Sequence, residues 1–258
     1  MPYNTAALPS WVGLRPRSQP EAILRYNIAQ PCVLMGDIWV TAPGACTYTA
    51  EANVIPAGDA NYYLFVVPKV PIGDAQIVVT VNGEDYGSGP KSGTATIPAL
   101  ATYDAASIVS GGDGWGAIST VTCTGGTAND ELEIWAVPDF DQFTRWRYLQ
   151  SFDLDNSPFM MPVADGFEPA YAAIRVRRGA SLTFNRNYVD YIDSFDKIRG
   201  RDVTLLIDLH PEGGSLVSEY IIIANGYLSA TQNAGDNALV ISAAEGGDRK
   251  VLRYTPTG

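Results

Sequence analysis

The stretch QIVVTV, residues 76 to 81, puts Ile77, Val79 and Val81 on one side of the chain and Gln76, Val78 and Thr80 on the other. A repeat of two fits a strand with one buried face; an amphipathic helix would place its apolar residues three and four apart. Similar short β-rich runs fill residues 36–138: DIWVTA, NYYLFVVPKV, GTATIPA, AISTVTC and ELEIWAV, separated by clusters of Gly, Asn, Asp and Pro. Strands this closely spaced leave no room for crossover helices, so an antiparallel, Ig-like sandwich or barrel is expected. Asn82-Gly83 in VNGED is the residue pair that enters positive φ most cheaply, and a tight reversal is expected there.

A second β-unit of about five strands is expected over 171–258 from the same reasoning. In YAAIRVRRGASLTF, Ile174 and Val176 oppose Arg175 and Arg177, while VTLLIDL puts Val203, Leu205, Ile207 and Leu209 on one face. The runs SEYIIIANGYLS, NALVISA and KVLRYT complete it. Residues 139–170 carry aromatics, aspartates and prolines without alternation, and read as a packed connector in which Phe143, Trp146 and Arg147 share one face of a short helix.

Residues 1–35 read as an extended arm. Pro2, Pro9, Pro16, Pro20 and Pro31 each fix φ and withhold a backbone donor, leaving room for one helical turn at PEAILRYN. Leu8, Trp11 and Leu14 give this arm apolar surface that a solvated tail has no use for, and Arg15 and Arg17 can pair with an acidic neighbour. These five residues are the candidate assembly interface. The fold class is therefore all-β: two antiparallel sandwich or barrel units, an extended N-terminal arm and little helix.

Composition narrows the function. A chain of 258 residues can bury roughly 70–75% of its unfolded surface, so a core needs no covalent staples. Only 17% of the residues are charged, which points to a surface partly covered by a partner. The net charge of −11 is shared by both halves, whereas a protein that grips nucleic acid needs clustered Lys and Arg. The one basic cluster, RVRRG at 175–179, reads as a solvated strand face or an ion-pair donor. Cys32, Cys46 and Cys123 show no metal spacing and are odd in number, as expected of buried small hydrophobes made in a reducing cytoplasm. The N-terminus lacks the apolar core of a secretion signal, and no run approaches the ~20 apolar residues of a membrane span, so no membrane partner is expected.

Tests for chemistry find no catalytic, cofactor or metal assignment. His210, the only histidine, sits in HPEGG between two alternating runs and reads as a turn residue or subunit contact. EDYGSGPKSGT puts Asp85 and Pro90 where a phosphate loop needs glycine. GGDGWG at 111–116 runs into a strand instead of a helix, which excludes a dinucleotide fingerprint and leaves a flexible connection with Trp115 at its tip. Trp115 is weighed there as a sugar platform and, preferably, as a packed core or contact residue. The acid pairs Asp139/Asp141, Asp153/Asp155 and Asp190/Asp193 lack the context of a glycosidase dyad or a calcium loop.

Residues 76–126 (QIVVTVNGEDYGSGPKSGTATIPALATYDAASIVSGGDGWGAISTVTCTGG) resemble a small β-sandwich pattern that recurs in structural proteins of tailed bacteriophages. Its marks are a strand, a V-x-G-x-D turn, a Thr-rich strand and a W-x-x-I strand. Residues 195–256 (FDKIRGRDVTLLIDLHPEGG to KVLRYTP) are similar to phage tail-tube or head-decoration proteins. The resemblance implies a non-enzymatic virion subunit, assembled in the host cytoplasm with copies of itself in rings or a lattice and with other virion proteins. In a tail tube, acidic residues lining the lumen would keep contact with packaged DNA passive through like-charge repulsion. A head-decoration or neck protein, a glycan-binding β-sandwich module or adhesin, and an enzyme with an unrecognised carboxylate site are the alternatives.

Overall fold

The computed structural model describes residues 21–52, 55, 61–145, 149–155, 158–165, 168–184, 202–210, 219–232, 237–244 and 249–256. These are nearly all strand: β1 (Glu21–Asn27), β2 (Val33–Ala42), β3 (Ala45–Ala50), β4 (Tyr62–Pro68), β5 (Ile77–Asp85), β6 (Pro90–Ile97), β7 (Ala105–Ile108), β8 (Trp115–Gly125) and β9 (Glu131–Pro138). A single 3-10 turn, Phe140–Gln142, precedes β10 (Thr144–Arg145), β11 (Leu149–Asp155), β12 (Pro158–Asp165), β13 (Glu168–Phe184), β14 (Asp202–His210), β15 (Glu219–Gln232), β16 (Asn237–Ala244) and β17 (Lys250–Tyr254). The all-β class expected from the sequence holds. The chain divides into a sandwich unit (Ala29–Thr144, Glu219–Ile222 and Leu252–Gly258) and a hairpin unit (Met1–Ile28, Arg145–Ser218 and Ile223–Val251).

In the sandwich unit one sheet runs β7-β4-β9-β2-β3 and the other β6-β5-β8. Met35, Ile38 and Val40 from β2, Leu64 and Val66 from β4, and Leu132 and Ile134 from β9 meet Ile77, Val79 and Val81 from β5 and Ile97 from β6 in one core. β5 buries alternate residues as the sequence indicated, with Val78 and Thr80 left partly exposed. One side of the sandwich is bridged after β7, where Val109 N donates to Leu64 O and Ser110 N donates to Thr94 O, both at 2.8 Å. At the other side Gly44 N donates to Gly125 O at 2.8 Å. β17 joins the larger sheet through a parallel pairing with β7, Arg253 opposite Ala105, so that sheet is mixed instead of purely antiparallel.

Asn82-Gly83 does not make a reversal. Both residues lie inside β5, paired with Ser92 and Lys91 on β6 and flanked by a register shift against β8. A Cβ at Gly83 would strike the Ala117 carbonyl, so glycine is needed for close backbone approach at a bulge and not for a turn. The reversal comes later, where the Asp85 carboxylate accepts from Gly87 N at 2.8 Å and Gly89 N at 2.7 Å. β3 and β7 were not anticipated: both are short and poor in branched residues.

In the hairpin unit the strands run β1-β14-β15-β16-β13-β11, with β12 paired to the first half of β13. The helical turn expected at PEAILRYN is instead β1, which pairs with β14 from Glu21 opposite His210 to Asn27 opposite Thr204. Its Glu, Ala, Leu and Arg favour helix locally, but the ladder offered by β14 overrides that preference. Val203 to Asp208 are all buried, so β14 is a central strand covered on both faces instead of one. The connector expected over 139–170 is mostly strand as well, holding β11, β12 and the start of β13. Pro158 and Pro162 disguise β12 in the sequence, yet an edge strand tolerates proline because its outer N–H groups face no ladder.

Candidate functional site

Two features of the fold stand out from the cores. The first is the hairpin of β12 and β13, which pairs Pro158 with Val176 and Asp165 with Glu168. β13 turns to new partners only from Arg177, opposite Ala244 at the end of β16, and from Gly179, opposite Asp155 at the end of β11. Over residues 158–176, then, two strands run with no third strand beside them among the described residues. The sequence there is apolar: PFMMPVAD against EPAYAAIRV. A two-stranded hairpin is marginal in water without a third strand or a packed face.

The second feature is an aromatic face on the sandwich unit. Tyr63 and Phe65 on β4, Phe140 in the 3-10 turn, and Tyr220 and Tyr254 on the ends of β15 and β17 pack ring against ring in tilted, edge-on and stacked pairs. Phe140 lies 5.6 Å from Tyr63, 6.4 Å from Phe65 and 5.1 Å from Tyr220 between ring centres, and Tyr254 lies 5.3 Å from Phe65. Phe65 is buried, while Tyr63, Phe140, Tyr220 and Tyr254 are half-buried.

Carboxylates rim these rings. Asp139 caps the 3-10 turn by accepting from Asp141 N at 3.2 Å. Burial raises its carboxyl above the ordinary aspartate value and the charges of Asp113 and Asp141 add to this, against the lowering effect of the bond from Asp141 N. Burial likewise lifts the Tyr63 phenol, with Asp139, Asp113 and Asp141 adding to the effect. On the far side Arg253 reaches Glu219 at 3.2 Å and Asp104 at 3.9 Å, and its backbone N–H donates to Asp104 O at 2.7 Å. Rings with adjacent carboxylates can stack a sugar face and accept its hydroxyls, or receive an apolar side chain of a partner.

The candidate residues from the sequence fall unevenly. Leu8, Trp11, Leu14, Arg15 and Arg17 lie outside the described residues, as do Asp190, Asp193, Trp146 and the turn after His210. His210 itself is the last residue of β14. Asp153 and Asp155 are on β11, and Asp139/Asp141 form a cap.

Trp115 is not at a loop tip. It opens β8 with 0% of its surface exposed, donates to Gly112 O at 3.1 Å and lies beneath the Lys91 ammonium, 5.1 Å from the ring centre. Positive φ at Gly111, Gly112 and Gly114 lets the loop fold back over the ring, and Lys91 ties it down through the Asp113 carbonyl. A buried ring cannot serve as a sugar platform.

Among the described residues the exposed tryptophan is Trp39, at 54%, opposite Thr47 on β3. Period two in DIWVTA, with Ile38 and Val40 inward, carried that signal. Among the described residues no group of three or more His, Cys, Asp or Glu could hold a metal ion, and no helix is long and apolar enough to cross a membrane. No protein-family model, curated protein or solved structure matches the chain.

Proposed function

We propose that this chain is a non-enzymatic structural subunit of a tailed-phage virion, and that it assembles with copies of itself as a tail-tube protein whose stacked rings form the DNA conduit. The observation that carries this reading is the β12–β13 hairpin. The first part of β13, residues 168–176, and all of β12 commit to a ladder that leaves both outer edges of residues 158–176 without a strand among the described residues of its own chain. A neighbouring subunit that pairs with those edges or covers their apolar residues supplies the missing support, and ring symmetry repeats the contact in every copy. The low charge content, the acidic balance and the resemblance over residues 76–126 and 195–256 fit the same role.

Electron microscopy of the purified protein tests it. Rings or stacked tubes are expected; flat lattices or caps would move the assignment to a head-decoration or neck protein, and a uniform monomer would contradict self-assembly. The aromatic face supports a second reading, a glycan-binding module. In that case Tyr254→Ala would abolish binding of an oligosaccharide to monomeric protein, seen by calorimetric titration.

A further inference from the structure

Three thiols are free in this fold, Cys32, Cys46 and Cys123, and two of them meet. Cys46 lies on β3, at the end of one sheet of the sandwich, and Cys123 on β8, at the end of the other. The two strand ends are joined by the bond from Gly44 N to Gly125 O. Cys46 lies two residues after Gly44 and Cys123 two residues before Gly125, so each thiol is two residues from this junction. The Cys46 side chain lies near enough to act on the Cys123 thiol. Both belong to the interior, Cys123 as part of the core and Cys46 packed against it. A disulfide needs Cβ atoms about 3.5–4.5 Å apart, a separation open to two side chains near one junction of the two sheets.

We infer that Cys46 and Cys123 are a disulfide-forming pair, a modification site that staples β3 to β8 when the protein meets a peroxide. Cys46 is partly exposed and Cys123 buried, which divides the roles. The Cys46 thiolate attacks one oxygen of hydrogen peroxide, the O–O bond breaks, and hydroxide leaves to be protonated to water. Cys123 sulfur then attacks the Cys46 sulfenic acid, the S–O bond breaks, and a second water departs with the Cys123 proton. Two thiols and one peroxide become one disulfide and two waters. Burial, together with the nearby Cys46 side chain, raises the Cys123 thiol far above its usual range, so the second step is slow at neutral pH and faster in alkali. The bond would close the chain from residue 46 to residue 123 and bridge the sandwich where Gly44 and Gly125 already meet. The pair forms whether or not the chain is a virion subunit.

The test uses the folded full chain, purified in reductant, freed of it, and exposed to hydrogen peroxide. After quenching, denaturation and alkylation, digestion and mass spectrometry should give one cross-linked peptide pair containing Cys46 and Cys123, with Cys32 alkylated. Cys46→Ser should abolish the cross-link and Cys32→Ser should leave it. All three cysteines alkylated, a bond to Cys32, or sulfinic acid at Cys46 without cross-link would each overturn the pair.

Discussion

Two hairpins of similar length fare differently in this molecule. β5 and β6 pair from Ile77 opposite Ile97 to Glu84 opposite Pro90, and β5 takes β8 on its other edge. Ile77, Val79 and Val81 are fully buried beneath the facing sheet. β12 and β13 pair over as many residues, but between 158 and 176 neither takes a second partner among the described residues. The ladder is the same and the support is not. A strand's identity is therefore local, while its stability depends on what else its edges and faces touch. The sandwich unit finds that support within its own chain; under the proposed assembly, the β12–β13 hairpin finds it in a neighbour.

Substitutions in the sandwich unit should sharpen the contrast. The largest effect is expected from Trp115→Ala, which empties a fully buried site and removes the bond to Gly112 O. A loss of about 3–5 kcal/mol in urea denaturation is predicted. A loss under about 1 kcal/mol would mean that the core does not depend on this ring. Asp130→Ala comes next. Its buried carboxylate accepts from Gly73 N at 3.0 Å and Thr127 N at 2.7 Å, and truncation orphans both donors. About 2 kcal/mol should be lost in the same assay; no change would show that water replaces the carboxylate.

Asp139→Asn should have the smallest effect and the opposite sign. Because the Asp139 carboxyl is raised in the folded protein, by burial first and then by Asp113 and Asp141, the native state holds its proton more tightly than the unfolded chain does. Ionising it costs stability as pH rises from the unfolded value of about 3.9 to the raised folded value, and the cost is complete above that. The amide keeps the cap to Asp141 N and carries no charge. The variant should match the parent in melts below about pH 4 and exceed it near neutrality by at most about 0.5 kcal/mol, the limit set by solvent screening. A less stable variant at neutral pH would show that the charge itself is needed.

What could be read from the sequence tracks the same contrast. β2, β4, β5, β6, β8 and β9 were legible because residues such as Ile77, Val79 and Val81 face a core within the same unit, and burial on one face writes period two into the chain. The runs that form β13 to β17 were legible as well, whereas β1 and β12 were not. β12 carries Pro158 and Pro162, and β1 carries helix-favouring residues whose strand form depends on β14, more than 170 residues away in the chain. Asn82-Gly83 misled because its glycine answers a contact with Ala117, which only the fold reveals. The aromatic face could not be foreseen either, since Tyr63, Phe140, Tyr220 and Tyr254 come from four separate stretches.

The hairpin itself can be removed with the loss of only two pairs between β13 and β16, Arg177 with Ala244 and Arg178 with Ala243. Asp155 on β11 already pairs with Gly179 on β13, so replacing residues 156–178 by Asn-Gly closes a two-residue reversal on an existing pair. Sedimentation velocity of this variant beside the full chain, with circular dichroism and a thermal melt to check folding, is the most direct test of assembly through the hairpin. Such assembly predicts retained β-signal and an unchanged melt of the sandwich unit, with the oligomer of the full chain reduced to monomer. A folded variant that assembles as readily as the full chain would contradict it.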